Sequence, residues 1–132
     1  MQKNTSYINI IKDINYFFDE RINSAVEAGI NLKNIIIDPG IGFGKSMEDN
    51  FYILNNINSF KKHGVPILIG PSRKSFLSLN NDNPKSRLSA TIVSSTIAFQ
   101  NGVDFIRVHD VKEINKSINI NRKFSNYKTL PN

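Results

Sequence analysis

Charged side chains of different kinds stand at the ends of three predicted strands. Asp38 follows the apolar run III, and Lys74 lies in the turn GPSRKS that follows VPILIG. Arg107 and His109 end the segment DFIRVHD. Because parallel α/β folds bind ligands at the carboxyl ends of their strands, these four side chains are expected on one rim. A carboxylate accepts N–H groups and cations stabilise an anion, so the set predicts a site for a small anionic molecule.

Spacing adds to this prediction for the third strand. Arg107 and His109 are two residues apart, so on a strand they share one face, while Ile106 and Val108 face the helices. Each charged residue also has a simpler interpretation when it is taken alone. An acid before Pro-Gly often caps a turn, a lone lysine is usually solvated, and a lone histidine usually makes structural hydrogen bonds. The meeting of all four types is therefore more informative than any one of them.

The glycine-rich segment at residues 35–46, IIIDPGIGFGKS, resembles nucleotide-binding loops but matches neither pattern. Gly44-Lys45-Ser46 supplies the end of a phosphate-binding P-loop, yet Pro39 occupies the position of its first glycine. Proline lacks an amide hydrogen and cannot adopt a positive φ. The dinucleotide pattern G-x-G-x-x-G fails as well, because the glycines here are spaced G-x-G-x-G. The segment is better interpreted as a substrate loop at the mouth of an α/β barrel.

Two other polar residues are assigned simpler roles. His63 lies in the last turn of a predicted helix beside two lysines, which indicates a structural histidine. Ser72 lacks the G-x-S-x-G turn of a hydrolase nucleophile, so we do not expect it to act as one.

Helices at four places must position the charged residues. Apolar residues recur at helical spacing between predicted boundaries that consist of a glycine, a proline or a capping box. The last helix is expected to fade into a polar tail after about residue 122. The boundary residues are Gly29, Ser46 with Asp49, Gly64, Pro84, Gly102, and Asp110 with Glu113.

Short strands at residues 35–37, 66–69 and 104–110 alternate with these helices. The order of one helix followed by three strand-helix units predicts parallel strands joined by right-handed crossovers. A closed (βα)₈ barrel needs roughly 250 residues, so the 132 residues here amount to about half of one. The predicted fold class is therefore α/β, as a partial (βα)₈ TIM barrel.

Composition excludes several classes of partner and location. The chain has no cysteine, which removes disulfides and thiolate metal sites and fits the reducing cytoplasm. Its net charge of +6 comes from scattered lysines and arginines without interleaved stacking aromatics, so no nucleic-acid partner is expected. No apolar run approaches the roughly 20 residues that span a bilayer, and the first residues lack a signal-peptide pattern. We therefore expect a cytoplasmic protein that acts on small molecules without a membrane partner.

Three motifs in order, DPGIGFGK, GPSRKSF and FIRVHDV, closely resemble the carboxyl-terminal half of dihydropteroate synthase. The resemblance runs from Met1-Gln2, which is similar to the end of that family's fifth strand, to residue 121, and leaves residues 122–132 as a polar tail. It implies the sixth, seventh and eighth strands (β6–β8) of a TIM barrel. The family condenses 6-hydroxymethyl-7,8-dihydropterin diphosphate with p-aminobenzoate, which yields 7,8-dihydropteroate and pyrophosphate in folate biosynthesis.

The resemblance also implies roles for the residues of the rim. Asp38 would bind the aminopyrimidine edge of the pterin, and Lys74 would donate to the pterin close to p-aminobenzoate. Arg107 would lie along the pterin ring and, with His109, bind the departing diphosphate. Lys74 and Arg107 would therefore be the catalytic residues.

Further implications of the resemblance concern the second substrate, the cofactor and the assembly. Phe43 and Ser72 fall where the family lines its p-aminobenzoate pocket. Mg²⁺ is the implied cofactor, but its protein ligand belongs to the family's first-strand loop, so no residue of this sequence is assigned to metal. The family generally forms homodimers.

Alternative functions stay open at this point. The first interpretation is a synthase of which this chain carries the carboxyl-terminal half, and we expect it to be inactive alone. The second is a non-catalytic, degenerate remnant of such a barrel, since Ser78 and Ala90 stand where the family usually has glycine. The third is a related pterin-binding methyltransferase domain, which the motifs SRKSF and RVHDV disfavour.

Overall fold

The structure is a computed structural model that describes residues 2–129, with side chains from residue 10 onward. Helices and short strands alternate along the chain, and short 3₁₀-helices connect several of them. The α-helices and strands are α1 Gln2–Glu27, α2 Met47–Asn55, β1 Leu68–Ile69, α3 Leu88–Gln100, β2 Phe105–Ile106 and α4 Val111–Asn126. The 3₁₀-helices are Leu32–Asn34, Ile57–His63, Ser75–Leu77 and Pro84–Ser86.

Extended segments lie side by side in parallel, in the order in which they occur along the chain. Ile37 pairs with Ile67 in a parallel bridge. β1 pairs with β2 in a register that places Leu68 opposite Phe105. The parallel arrangement agrees with the prediction, but the paired segments are shorter than predicted. Within the described residues the two outer segments have a neighbour on one side only, and their ends turn at once into the loops that carry the polar residues.

A hydrophobic core fills the space between these segments and the helices. The β-branched and aromatic side chains of the core lie on the predicted strands and on the helices that follow them, as alternating α/β patterns require. α1 joins this core through Phe18, whose ring packs edge-on against Phe60 with 5.7 Å between centroids. The most completely buried hydrophobic residues are Ile41, Ile53, Ile57, Phe60, Ile67, Ile69 and Ala98.

The second predicted helix is divided in two. It begins at the predicted capping box, in which Asp49 N donates to Ser46 Oγ at 3.0 Å and Ser46 N donates to the Asp49 carboxylate at 3.3 Å. α2 then ends at Asn55, because Asn56 leaves the helical region with φ −123°. The 3₁₀-helix Ile57–His63 has three residues per turn, and both Ile57 and Phe60, which are three residues apart, are buried in it.

Asp110 occupies the N-cap position of α4, as the sequence predicts, but it does not form the predicted capping box. Its side chain makes no capping hydrogen bond to α4. Instead, the Arg73 guanidinium donates to both carboxylate oxygens of Asp110, at 3.0 and 3.3 Å. The fork of two parallel bonds binds a carboxylate more strongly than a backbone amide does, which explains the different partner.

Other predicted boundaries move by a few residues. Pro84 opens a 3₁₀-turn, and α3 begins only at Leu88. α4 continues to Asn126, so the first residues of the predicted tail are helical, whereas residues 130–132 lie outside the described part of the chain. Met1 also lies outside it, and Gln2 begins α1 rather than ending a strand. Among the described helices, none combines the length and the apolar character that crossing a bilayer requires.

Candidate functional site

Residues 38–46, hereafter the glycine loop, fold into a compact turn at the end of the first extended segment. Gly40, Gly42 and Gly44 all have positive φ, of 74°, 82° and 62°. Lys45 Nζ closes the turn because it donates to Gly40 O at 2.8 Å and to Phe43 O at 3.2 Å. The loop is thus stabilised by a cation that binds its own carbonyl groups rather than a phosphate.

Asn50 attaches the glycine loop to the first turns of α2. Its Oδ1 accepts a hydrogen bond from Gly42 N at 2.7 Å, and its Nδ2 donates to Ser46 O at 2.8 Å. The side chain is almost completely buried, so these two bonds satisfy polar groups that water cannot easily reach. One asparagine therefore fixes both the middle and the end of the loop.

Lys74 lies beneath the glycine loop. Its Nζ donates to Ile41 O and stands 4.2 Å from the centroid of the Phe43 ring. A Cβ atom at residue 42 would collide with Cδ of Lys74, so glycine is required there for the lysine to pass. The loop and the lysine from the next strand are thereby fitted to each other.

Several charges act on Lys74. Burial lowers the pKa of Lys74 from its ordinary value, the cations Arg107 and Lys45 lower it further, and Asp38 opposes them. Burial also lowers the pKa of Lys45, whereas the carboxylates of Asp38 and Asp49 raise it. Asp38 itself is exposed and accepts a hydrogen bond from Gly40 N at 2.8 Å. Three cations around one exposed acid make this region suited to an anionic ligand that also carries N–H donors.

Arg107 reaches this region from the end of β2. Its backbone N donates to Ile69 O at 2.8 Å, which continues the pairing of the strands. Its guanidinium lies over Gly70, where a Cβ atom would be only 3.3 Å from Nε and Nη2. The absence of a side chain at residue 70 therefore lets Arg107 lie across the end of the neighbouring strand.

Ser72 and His109 contact each other directly. Ser72 Oγ lies 2.8 Å from His109 Nδ1 and accepts a hydrogen bond from His109 N at 3.1 Å. The serine is buried whereas the histidine is exposed. Because Nδ1 is engaged, Nε2 is the ring nitrogen of His109 that is left to meet a ligand.

The other histidine, His63, belongs to a different part of the molecule. Its ring is buried at the junction with α1, with Nδ1 3.2 Å from Asp19 Oδ1 and Nε2 2.8 Å from Asn15 Oδ1. The ring also packs edge-on against Phe18. Burial lowers the pKa of His63, Asp19 opposes this, and Lys62 adds to it. These contacts support the structural role that the sequence indicates.

The described residues do not assemble a magnesium site. Among residues 2–129, no group of three or more histidine, aspartate or glutamate side chains is arranged to hold a metal ion. On the rim, Asp38 stands beside lysines, and Asp110 is paired with Arg73. Oxygen ligands that are already balanced by cations do not suit Mg²⁺, so no step of the chemistry is assigned to it here.

The structure adds residues that the sequence did not single out. In the sequence, Lys45 is the end of a failed P-loop pattern, and its closeness to Gly40 along the chain is a usable signal. Asn50 gives no signal, because an asparagine in the second turn of a helix is ordinarily exposed. Arg73 lies next to Lys74 in the turn GPSRKS, but sequence spacing does not reveal its partner Asp110, which is 37 residues away.

Comparison with known proteins agrees with this geometry. The family described as "Pterin binding enzyme" matches residues 1–109, so the chain belongs to that family. Its relatives include dihydropteroate synthases, which confirms the resemblance found in the three motifs. The Clostridium beijerinckii enzyme is 45% identical over 112 residues, and the Escherichia coli K12 enzyme is 39% identical over 114 residues.

These matches cover most of this chain but less than half of each relative. The alignment spans 83% of the chain and 42% of the C. beijerinckii protein, and 86% and 40% respectively for E. coli. A probable bifunctional folylpolyglutamate synthase/dihydropteroate synthase of Haloferax volcanii is 39% identical over 89% of the chain, which is 14% of that protein.

Solved structures of dihydropteroate synthases superpose on the chain. The Yersinia pestis enzyme gives a TM-score of 0.83 at 36% identity, over 87% of this chain and 55% of that one. The Stenotrophomonas maltophilia enzyme gives 0.87 at 34% identity, over 91% and 46%. These neighbours imply a TIM-barrel fold for this α/β chain.

Proposed function

We propose that this chain supplies the sixth to eighth strands of a dihydropteroate synthase barrel, with residues 1–121 in the barrel and residues 122–132 as an appended tail. The reaction would condense 6-hydroxymethyl-7,8-dihydropterin diphosphate with p-aminobenzoate and release pyrophosphate. The observation that carries the proposal is the position of Lys74 beneath the glycine loop, under the electrostatic influence of Asp38 and Arg107.

Asp38, Lys74 and Arg107 would bind the pterin. The exposed Asp38 carboxylate accepts two parallel N–H bonds from an aminopyrimidine edge, a geometry that a carboxylate matches well. Lys74 donates to a pterin acceptor once it exchanges Ile41 O for the ligand. The planar guanidinium of Arg107, which extends over Gly70, stacks along the ring.

Departure of the diphosphate would depend on Arg107 and His109. Negative charge on the diphosphate increases as its C–O bond breaks, so fixed cations and N–H donors lower the barrier to that step. Arg107 supplies a permanent charge, and His109 donates through Nε2 while Ser72 engages Nδ1. Lys45 and Lys74 add positive potential to the same region.

Phe43 and Ser72 would line the p-aminobenzoate pocket. The Phe43 ring is exposed at the tip of the glycine loop, where an aromatic substrate can stack on it. Ser72 would contribute its hydroxyl, which is hydrogen-bonded to His109.

The proposal includes a homodimer, which the resemblance implies, and a cytoplasmic location, which the composition favours. Light scattering of the purified chain tests the dimer, and a mass of one chain would contradict it. No residue of this chain is assigned to Mg²⁺.

The test of the activity joins this chain to the amino-terminal half of the C. beijerinckii relative. The chain alone should show no turnover, and the combination should form dihydropteroate. Lys74→Ala and Arg107→Ala should each lower turnover about 100-fold, because each removes a charge that stabilises the transition state. Lys85→Ala, an exposed lysine, is the control. Wild-type rates in both variants would refute the roles, and turnover by the chain alone would refute its inactivity.

Thermal unfolding separates this function from a non-catalytic remnant. A cooperative transition that pterin diphosphate raises indicates a retained site, because ligands that bind the folded state stabilise it. A chain without a cooperative transition would instead be a remnant.

A further inference from the structure

The turn at residues 71–74 contains an unusual backbone conformation at Arg73. Its φ is 59°, in the left-handed region that residues other than glycine and asparagine seldom occupy. Such conformations cost free energy and persist where the surroundings impose them, often at functional sites. The contacts that impose this backbone conformation on Arg73 are therefore of interest.

Three contacts hold Arg73 in this conformation. Its backbone N donates to Thr91 Oγ1 at 3.1 Å, and its backbone O accepts from Arg87 Nη1 at 2.8 Å. Its guanidinium is bound in the fork to Asp110, with both side chains about three-quarters buried. Arg87 is in turn fixed by Asp82, through Oδ1 at 3.0 Å and the backbone O at 2.8 Å.

The sequence neighbours of Arg73 and of Asp110 belong to the proposed site. Ser72 and Lys74 flank Arg73, and His109 precedes Asp110. Two successive residues of the turn thus bind two successive residues after β2, as Ser72 with His109 and Arg73 with Asp110. We call these two pairs the clamp.

We propose that Arg73 is a positioning residue, which acts through the clamp to set the place and ring orientation of His109 and so the affinity of the site for a diphosphate. The inference rests on the proposed function for its ligand, but not for the geometry of the clamp. Arg73 is not assigned a contact with substrate, because its guanidinium is occupied by Asp110.

The test uses the full chain and substitutions that suit a positive φ. Arg73→Asn removes the guanidinium while its side chain tolerates the left-handed region. Asp110→Asn removes the charge of the other partner and leaves residue 73 unchanged. The double variant Arg73→Asp/Asp110→Arg reverses the pair and should rebuild it. Arg21→Asn, which changes an exposed arginine on α1, is the matched control.

Nitrogen-15 NMR of the imidazoles reports the state of the His109 ring in the absence of ligand. The chain has only two histidines, so the signals are easily assigned. In the unaltered chain, His109 should show the shifts of one tautomer, and His63 serves as the internal reference. Arg73→Asn and Asp110→Asn should move the His109 shifts towards the average of an unrestrained imidazole. The His63 shifts should stay unchanged, and a general loss of stability would not produce this selectivity.

Calorimetry then measures the affinity of each variant for inorganic pyrophosphate. Each single substitution should weaken affinity about fivefold, the reversed pair should recover most of it, and Arg21→Asn should change nothing. If Arg73→Asn does not fold, Asp110→Asn and the reversed pair decide the question.

The outcomes for the two proposals are distinguishable. His109 shifts that are the same in all folded variants refute the positioning role, whatever happens to pyrophosphate binding. An unaltered chain that does not bind pyrophosphate, but whose His109 shifts respond to Arg73→Asn, refutes the diphosphate role for this chain and supports the clamp.

Discussion

The glycine loop and the turn at residues 71–74 both carry proposed site residues, but contacts of opposite kinds hold them. In the loop, Lys45 binds Gly40 five residues away, and Asn50 binds Gly42 eight residues away. In the turn, Arg73 binds Thr91 and Asp110, which are 18 and 37 residues away. Apart from its contact with Lys74, the loop is therefore held by residues near it in the sequence, whereas the turn depends on residues far from it.

The largest expected effect tests whether the loop really depends on one local anchor. Asn50→Ala removes both hydrogen bonds of a buried side chain and should lower the free energy of unfolding by about 2–3 kcal/mol. Urea unfolding measures the change. Asn55→Ala, at an exposed position of the same helix, should cost less than about 0.5 kcal/mol. Equal losses at the two positions would show that Asn50 does not anchor the glycine loop.

A pair of glycines in the loop separates backbone strain from the fit to Lys74. Gly42→Ala introduces both a strained positive φ and a clash with Lys74, so we expect a loss of about 2 kcal/mol. Gly44→Ala has the strain alone, since nothing lies within 4 Å of its Cβ position, and should cost about 1 kcal/mol. Chemical denaturation gives both values, and a larger loss at residue 44 would contradict the fit between loop and lysine.

Thr91 tests the long-range side of the comparison. Thr91→Val keeps the shape but removes the acceptor for Arg73 N, and should cost about 1–2 kcal/mol because a partly buried amide loses its partner. Thr96→Val removes a hydroxyl that donates to Ile92 O in the preceding turn of its own helix, and should be nearly neutral. Equal losses would mean that the remote contact contributes nothing.

His63 supplies the smallest expected effect and a reference outside both regions. Burial lowers the pKa of His63 in the folded chain, so below about pH 6.5 the unfolded chain binds a proton more readily than the folded one. The contribution of His63 to the free energy of unfolding should therefore be fully present above that pH. It should decrease as the pH falls towards the folded-state pKa.

Urea midpoints at about pH 8 and pH 5.5 test this dependence. His63→Asn should flatten the profile. A steeper profile in His63→Asn would contradict the assigned direction.

The same contrast explains what could be predicted from the sequence. The glycine spacing indicated a tight loop, Ser46 with Asp49 indicated the start of α2, and alternating patterns indicated parallel strands, because all these signals are local. Sequence spacing predicts that the Asp110 side chain caps α4, because spacing cannot reveal that Arg73 binds the carboxylate. The division of the second helix at Asn56 has no local signal in the sequence, because tertiary packing of Ile57 and Phe60 decides it.

The 37-residue separation between Arg73 and Asp110 has a consequence for the order in which the molecule assembles. Contacts close in sequence form early, whereas closing a long segment requires much of the chain to be in place first. The glycine loop can thus take its shape soon after α2 forms, but His109 meets Ser72 only after α3 has crossed and β2 has docked. Competence for an anion would be among the last properties that the folding chain acquires, and among the first that partial unfolding of its carboxyl-terminal segment removes.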